Sequence, residues 1–299
     1  MSPKLKGSLL LLLTAVVWGA SFVSQSKGLD HMQPFSFNGL RSVIGGISLL
    51  PVIAVLRHGK TDAPPLKNSV FAGVCCGTVL FIASSIQQHG IQYTTAGKAG
   101  FITALYIIIV PILQLLLRQR PPGQIWISAA TAIAGFWFLS VKEGFTVGQG
   151  DLLMLCCAVF FAMHIIVIDR FNGKNTDPIV MSCTQFFTVG LLSAPFAFLT
   201  EQPSLSAAAQ SWLPLLYSGA AACGVAYTLQ IVGQKTTPPA AATLIMSLES
   251  VFAVLFGWIL LGEQLSLREL IGCGLVFAAV IGAQIEIPGR KANEDTVHT

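Results

Sequence analysis

The sequence predicts an all-α integral membrane protein: ten transmembrane helices arranged as two inverted five-helix repeats. Three observations carry this expectation. Of 299 residues, 54% are hydrophobic and only 10% charged, whereas a soluble domain averages about 25% charged. So few charges cannot clothe a water-soluble fold, and mean hydropathy is +0.72. An ordinary soluble enzyme, a disordered chain and a nucleic-acid binder are excluded on that ground. Ten apolar stretches each reach the length of about 20 residues that crosses a bilayer as a helix. The chain also repeats itself at an offset near 143 residues.

The expected spans run 7–26, 34–56, 69–89, 95–117, 123–141, 149–168, 178–199, 211–232, 239–261 and 267–286. Span 1 follows Lys4 and Lys6 and ends near Trp18-Gly19-Ala20-Ser21, a pattern that a cleaved signal peptide shares. Its match to a segment deep in the chain argues that it stays. Span 2 holds Pro51, and span 7 holds its counterpart Pro195. Span 3 carries Gly73-x-x-x-Gly77, a spacing that lets helices approach closely, and closes on Gln87-Gln88-His89. Span 4 has Pro111 at its middle, where the missing N–H favours a kink. Span 6 ends on Asp169-Arg170, and span 9 ends near Gly262-Glu263. From Pro288 to Thr299 the chain is a polar tail.

The loops set the orientation. With the N-terminus cytoplasmic, the inner segments carry Lys4, Lys6, Arg57, Lys60, Lys67, Arg118, Arg120, Arg170, Lys174, Lys235, Arg290 and Lys291. The outer loops carry only Lys27, Lys142 and Arg268. That bias follows the positive-inside rule and puts both termini in the cytoplasm of a plasma (inner) membrane protein. It also explains the net charge of +4 without an acidic partner. The seven cysteines all fall in spans, form no C-x-x-C pair and are odd in number. They read as packing residues.

The repeat is ordered along the chain. Gly7–Val16 lies over Gly150–Val159; Pro34, Gly46 and Pro51 fall on Pro178, Gly190 and Pro195. Gln92–Thr95 falls on Gln234–Thr237, and Ala104-Leu105 near Ser247-Leu248. The expected domains are 1–144, 145–287 and the tail 288–299. Each repeat holds five spans, an odd number, so the second copy enters the membrane from the opposite side. Halves related this way can exchange conformations about a central site, which is a route to alternating access. A duplicated bundle without transport, such as a receptor or assembly factor, is the plainer alternative.

Several motifs together resemble the EamA-type members of the drug/metabolite transporter superfamily. They are Trp18-Gly19-Ala20-Ser21-Phe22, Arg41, Tyr93-Thr94-Thr95-Ala96-Gly97-Lys98-Ala99, Ser247-Leu248-Glu249 and Leu260-Leu261-Gly262-Glu263. The resemblance covers nearly the whole chain. It implies a ten-helix, inverted five-plus-five fold that moves small organic solutes, and members often export amino acids or other metabolites. That pattern commonly has Pro after the Glu of span 9, where this chain has Ser250.

Ionisable groups at membrane depth are costly, so each is a candidate for function. Arg41 sits about two turns into span 2 and keeps its charge at any ordinary pH. Asn38 shares its helix face and is placed to orient it. Its repeat mate Gln185 is neutral. Lys98 lies about one turn into span 4; it either snorkels to the interface or joins Arg41. Glu249, near the midplane of span 9, is a candidate proton carrier, a partner for Arg41 or a helix-packing hydrogen-bond donor. Gln88, His164, Trp18, Tyr106 and Tyr227 complete the polar and aromatic candidates, each with packing as the competing role.

No Walker A, H-E-x-x-H or retention motif is found. The expectation is a secondary transporter, not an enzyme, without cofactor or metal. It would export a small organic metabolite, an amino acid or organic acid, with protons as a possible coupling partner, as a monomer or homodimer. Two positive candidates against one negative point to a solute with a carboxylate. The alternatives are an exporter of hydrophobic cations using Glu249 as the binding charge, a membrane-embedded transferase, and a channel.

Overall fold

The computed structural model describes residues 2–58, 63–94, 96–140, 148–173, 175–261 and 266–284. The Gly262-Glu263 pair and the tail from Pro288 lie outside the described residues. Every described span is helical. The first half holds Pro3–Gly28, Pro34–Arg57, Leu66–Ile91, the pair Ala96–Thr103 and Tyr106–Leu116, and Gly123–Ser140. The second holds Gln149–Phe171, Pro178–Thr200, Trp212–Gln234, the pair Pro239–Met246 and Glu249–Leu261, and Leu267–Gln284. Eight of these stretches are long and apolar enough to cross a membrane by themselves. The 18-residue spans 5 and 10 complete five in each half and pack against each other.

Hydrogen-bonding side chains start several of these helices. Ser2 Oγ accepts from Leu5 N, 3.2 Å, and Asp177 Oδ1 accepts from Ile179 N, 3.0 Å. These contacts satisfy N–H groups that a helix start leaves without partners. Span 2 borrows its cap from span 7. The Glu201 carboxylate accepts from Phe35 N at 2.8 Å and from Ser36 N at 2.7 Å. At the other end of the same helix pair, Arg57 lies 3.6 Å from Asp177.

The packing obeys a two-fold rule. Spans 2 and 7 pair with each other, and so do spans 5 and 10. Span 3 packs on spans 6 and 7, as span 8 packs on spans 1 and 2; span 4 meets span 6, as span 9 meets span 1. Each of these contacts between the halves therefore has a mate with the halves exchanged. The rule extends to single atoms. A Cβ on Gly77 would stand 2.6 Å from the Gln185 carbonyl, and one on Gly219 would stand 2.8 Å from that of Arg41. The Gly73-x-x-x-Gly77 spacing thus serves the close approach of span 3 to span 7.

Spans 4 and 9 are each broken at matched places. Leu105 N bonds Ile102 O at 3.2 Å and Ile107 N bonds Ala104 O at 3.1 Å. Leu248 N and Ser250 N make the equivalent bonds to Ile245 O and Ser247 O, both 3.2 Å. A tightened i→i−3 turn thus interrupts each span, a device that marks hinges and strained sites. The kink expected at Pro111 is displaced: Pro111 lies inside the second half-helix, and the break falls at Ala104-Leu105. The break in span 9 forms with Ser250 in place of proline, and the Ser250 hydroxyl donates to Gly100 O of span 4, 2.8 Å. Span 8 differs from its mate span 3. Its middle, Tyr217–Ala226, is wound more widely as a π-helix, where span 3 is α-helical throughout.

Candidate functional site

The two broken helices meet at the centre of the molecule. Tyr106 opens the second half of span 4 and Glu249 the second half of span 9. They are repeat mates, 143 residues apart, and the Tyr106 hydroxyl donates to Glu249 Oε1 at 2.9 Å. Two mates that touch must lie beside the axis that relates them. A cavity surrounds this point, and both residues line it.

Its wall repeats the same symmetry. Trp18 and Phe161, Ser21 and His164, Phe22 and Ile165, and Tyr106 and Glu249 are mates at the common 143-residue offset, and all line the cavity. Span 8 adds Ala222, Cys223, Tyr227 and Gln230, the first two from its widely wound segment. Gln25, Arg41, Gln87 and Thr103 complete the lining. Trp18 packs at a tilt against Tyr227 with ring centroids 4.6 Å apart, and His164 meets the same ring edge-on at 5.9 Å.

The charges break the symmetry. Arg41 is only 6% exposed, and no carboxylate among the described residues forms an ion pair with it. Its Nε and Nη2 donate to Asn38 Oδ1, at 3.2 and 3.0 Å. Asn38 Nδ2 in turn donates to Ser84 Oγ of span 3, 3.0 Å. The guanidinium also lies 5.8 Å from the centre of the Phe37 ring. A fixed cation therefore faces the cavity from the first half and a carboxyl group from the second, without pairing. Such a cavity can hold a small solute by its ends.

The sequence profile of the EamA-like transporter family matches residues 5–141 and again 148–283. The chain belongs to the EamA-like transporter family. An uncharacterized transporter of Archaeoglobus fulgidus is 34% identical over 95% of this chain and 87% of that protein. The uncharacterized transporter YoaV of Bacillus subtilis is 22% identical over 94% and 97%. The uncharacterized inner membrane transporter YedA of Escherichia coli K12 is 24% identical over 89% and 86%. A solved crystal structure superposes with a TM-score of 0.76 at 18% identity, over 93% of this chain and 96% of that one. This EamA-like chain is a multi-pass membrane protein with the duplicated helical fold.

Within that fold, six of the ten residues singled out from sequence line the cavity: Trp18, Arg41, Tyr106, His164, Tyr227 and Glu249. Three more stand directly behind it. Asn38 holds Arg41; Gln185 Oε1 lies 3.1 Å from His164 Nε2; and Gln88 donates to Gln25. Lys98 does not join Arg41 in the lining. Its ammonium lies 2.5 Å from Asp151 Oδ2, and Asp151 also accepts from Gly148 N at 2.8 Å and Thr94 Oγ1 at 3.1 Å. The pair ties the start of span 4 to the start of span 6. Reasoning from single residues passed over Ser21, Phe161 and Ile165. The repeat offset applied to His164, Trp18 and Phe22 finds all three.

Proposed function

We propose that this member of the family is a secondary transporter that exports a small solute bearing a carboxylate, an amino acid or organic acid, by alternating access of its two halves. The observation that carries this reading is the axial cavity where Arg41 and Glu249 both face inward and do not pair. With Lys98 held by Asp151, the cavity offers one cation and one carboxyl group, a match for a zwitterion. The solute's carboxylate docks on Arg41 and its cationic end on the Glu249 side. The inverted repeat supports rocking about this site, powered by a gradient or by exchange. The family resemblance supports export, and the positive-inside bias supports an inner-membrane protein with both termini cytoplasmic.

Uptake and counterflow of a metabolite library in proteoliposomes tests this. Arg41→Ala is expected to raise KM at least about tenfold for the transported solute, the scale of a lost charge-assisted contact, and Arg41→Lys to recover part of it. Unchanged transport of every anionic and zwitterionic solute by Arg41→Ala removes Arg41 as the anion site. The aromatic wall favours one second reading, an exporter of hydrophobic cations that bind Glu249. In that case Arg41→Ala strengthens transport by relieving repulsion, the opposite sign.

A further inference from the structure

The two halves satisfy their buried amides differently. In the first half Gln88 Nε2 donates to Gln25 Oε1, while Gln88 Oε1 has no partner and lies outside the cavity lining. The mate of Gln88 is Gln230, but the position matching Gln25 is Ile168, which is apolar and fully buried. Gln230 is itself 1% exposed and lines the cavity, and its Oε1 has no hydrogen-bond partner. A second orphan lines the same cavity: Trp18 Nε1 is buried and unpartnered. Trp18 packs against Tyr227, one helical turn before Gln230. An unmatched acceptor and an unmatched donor are therefore on offer in one cavity, and leaving both unmade is costly.

We propose that Gln230 and Trp18 form a polar subsite for a hydroxyl or carboxamide group on the transported solute, separate from the carboxylate docked on Arg41. A group of this class both donates, to Gln230 Oε1, and accepts, from Trp18 Nε1. An ammonium only donates and leaves Trp18 unmatched; a carboxylate only accepts and leaves Gln230 unmatched. Because the mate of Trp18 is Phe161, which has no N–H to offer, and the mate of Gln230 is Gln88, which does not line the cavity, the subsite exists on one side of the axis only. The solute is then held in a single orientation as the halves exchange roles. The inference rests on the amino-acid reading given under Proposed function.

Counterflow in proteoliposomes with paired probes tests it: L-threonine against L-valine, L-serine against L-alanine, and L-tyrosine against L-phenylalanine. Wild type is expected to favour the hydroxyl-bearing member of the pair that fits by about tenfold in KM, the scale of a site that hydrogen-bonds its ligand. Gln230→Met and Trp18→Phe are each expected to erase that preference, raising KM for the hydroxyl-bearing member by about tenfold more than for the apolar member. Equal handling of both members by wild type overturns the subsite. So does a Gln230→Met protein that weakens both members alike, because that is a structural effect. If Gln230→Met does not fold, Trp18→Phe and the wild-type preference decide. A wild type that moves none of the six amino acids overturns the amino-acid reading itself, and the subsite with it.

Discussion

Arg41 stays charged throughout the ordinary pH range, so its surroundings must orient it rather than neutralise it. Asn38 does this by accepting from two of its nitrogens. Asn38→Ala is expected to raise the KM of an anionic solute several-fold with kcat little changed, and Asn38→Gln to rescue poorly because its longer amide loses Ser84. Steady-state flux separates the two parameters. Glu249 is the matching case on the other side. Glu249→Gln keeps an acceptor for Tyr106 and is expected to fold, but to carry transport that no longer varies with pH. An unchanged pH profile removes Glu249 as the proton carrier. Tyr106→Phe strips the hydroxyl and leaves a buried carboxyl oxygen unmatched. The expected loss is about 1–3 kcal/mol of stability, read as a lower melting temperature in detergent. Arg41, Glu249 and His164 were legible from sequence because ionisable groups are conspicuous inside apolar helices. The pairing of Lys98 was not legible because its partner Asp151 lies 53 residues away, and pairing at that range follows from packing and not from local pattern.

The helical elements show where sequence pattern stops being informative. Length and apolarity locate all ten spans, since a bilayer imposes one dimension on each. They do not locate the breaks. Proline at 111 drew attention to the wrong turn of span 4, whereas the matched Ala104-Leu105 and Ser247-Leu248 steps marked the true ones. The widely wound middle of span 8 has no sequence signature that separates it from span 3. Glycine spacing was more telling. Gly77→Leu places a side chain against the Gln185 carbonyl and the Thr188 side chain, and overpacking of this kind costs about 1–3 kcal/mol. Thermal unfolding of the purified variant checks it. The Lys98–Asp151 contact is partly buried, with side-chain exposures of 21% and 6%, so it falls between a surface pair and a core pair. Lys98→Met is expected to destabilise by about 1–3 kcal/mol, and adding Asp151→Asn to recover part of that. No recovery means the two side chains are not coupled.

At the scale of the whole molecule, the two faces carry equivalent close contacts with unlike chemistry. Gly7 opens span 1 and abuts Thr237 and the Gly233 carbonyl. Its mate Gly150 opens span 6 on the opposite face and lies 2.8 Å, by its Cβ direction, from the Tyr93 carbonyl. Bulk at either glycine pries open one face alone. In a chain whose only cysteine is Cys223, which lines the cavity, an impermeant maleimide reads which face is open. Gly7→Val is expected to speed labelling from the side of the termini, and Gly150→Val from the other side. Equal responses rule out alternating closure at these two contacts.

The meeting of Tyr106 and Glu249 also constrains how such a chain arose. A residue beside a two-fold axis faces its own copy for as long as the halves are separate identical subunits. Two tyrosines there can share a hydrogen bond, whereas two carboxylates repel unless they share a proton. A donor–acceptor pair of different residues becomes available only once the halves are joined in one chain and can drift apart independently. Two halves joined in one chain thus admit a chemical asymmetry at the one place where symmetry is otherwise strictest. The exchanged double variant, Tyr106→Glu with Glu249→Tyr, restores the same bond in mirror arrangement and measures how far the rest of the cavity has since committed to one polarity.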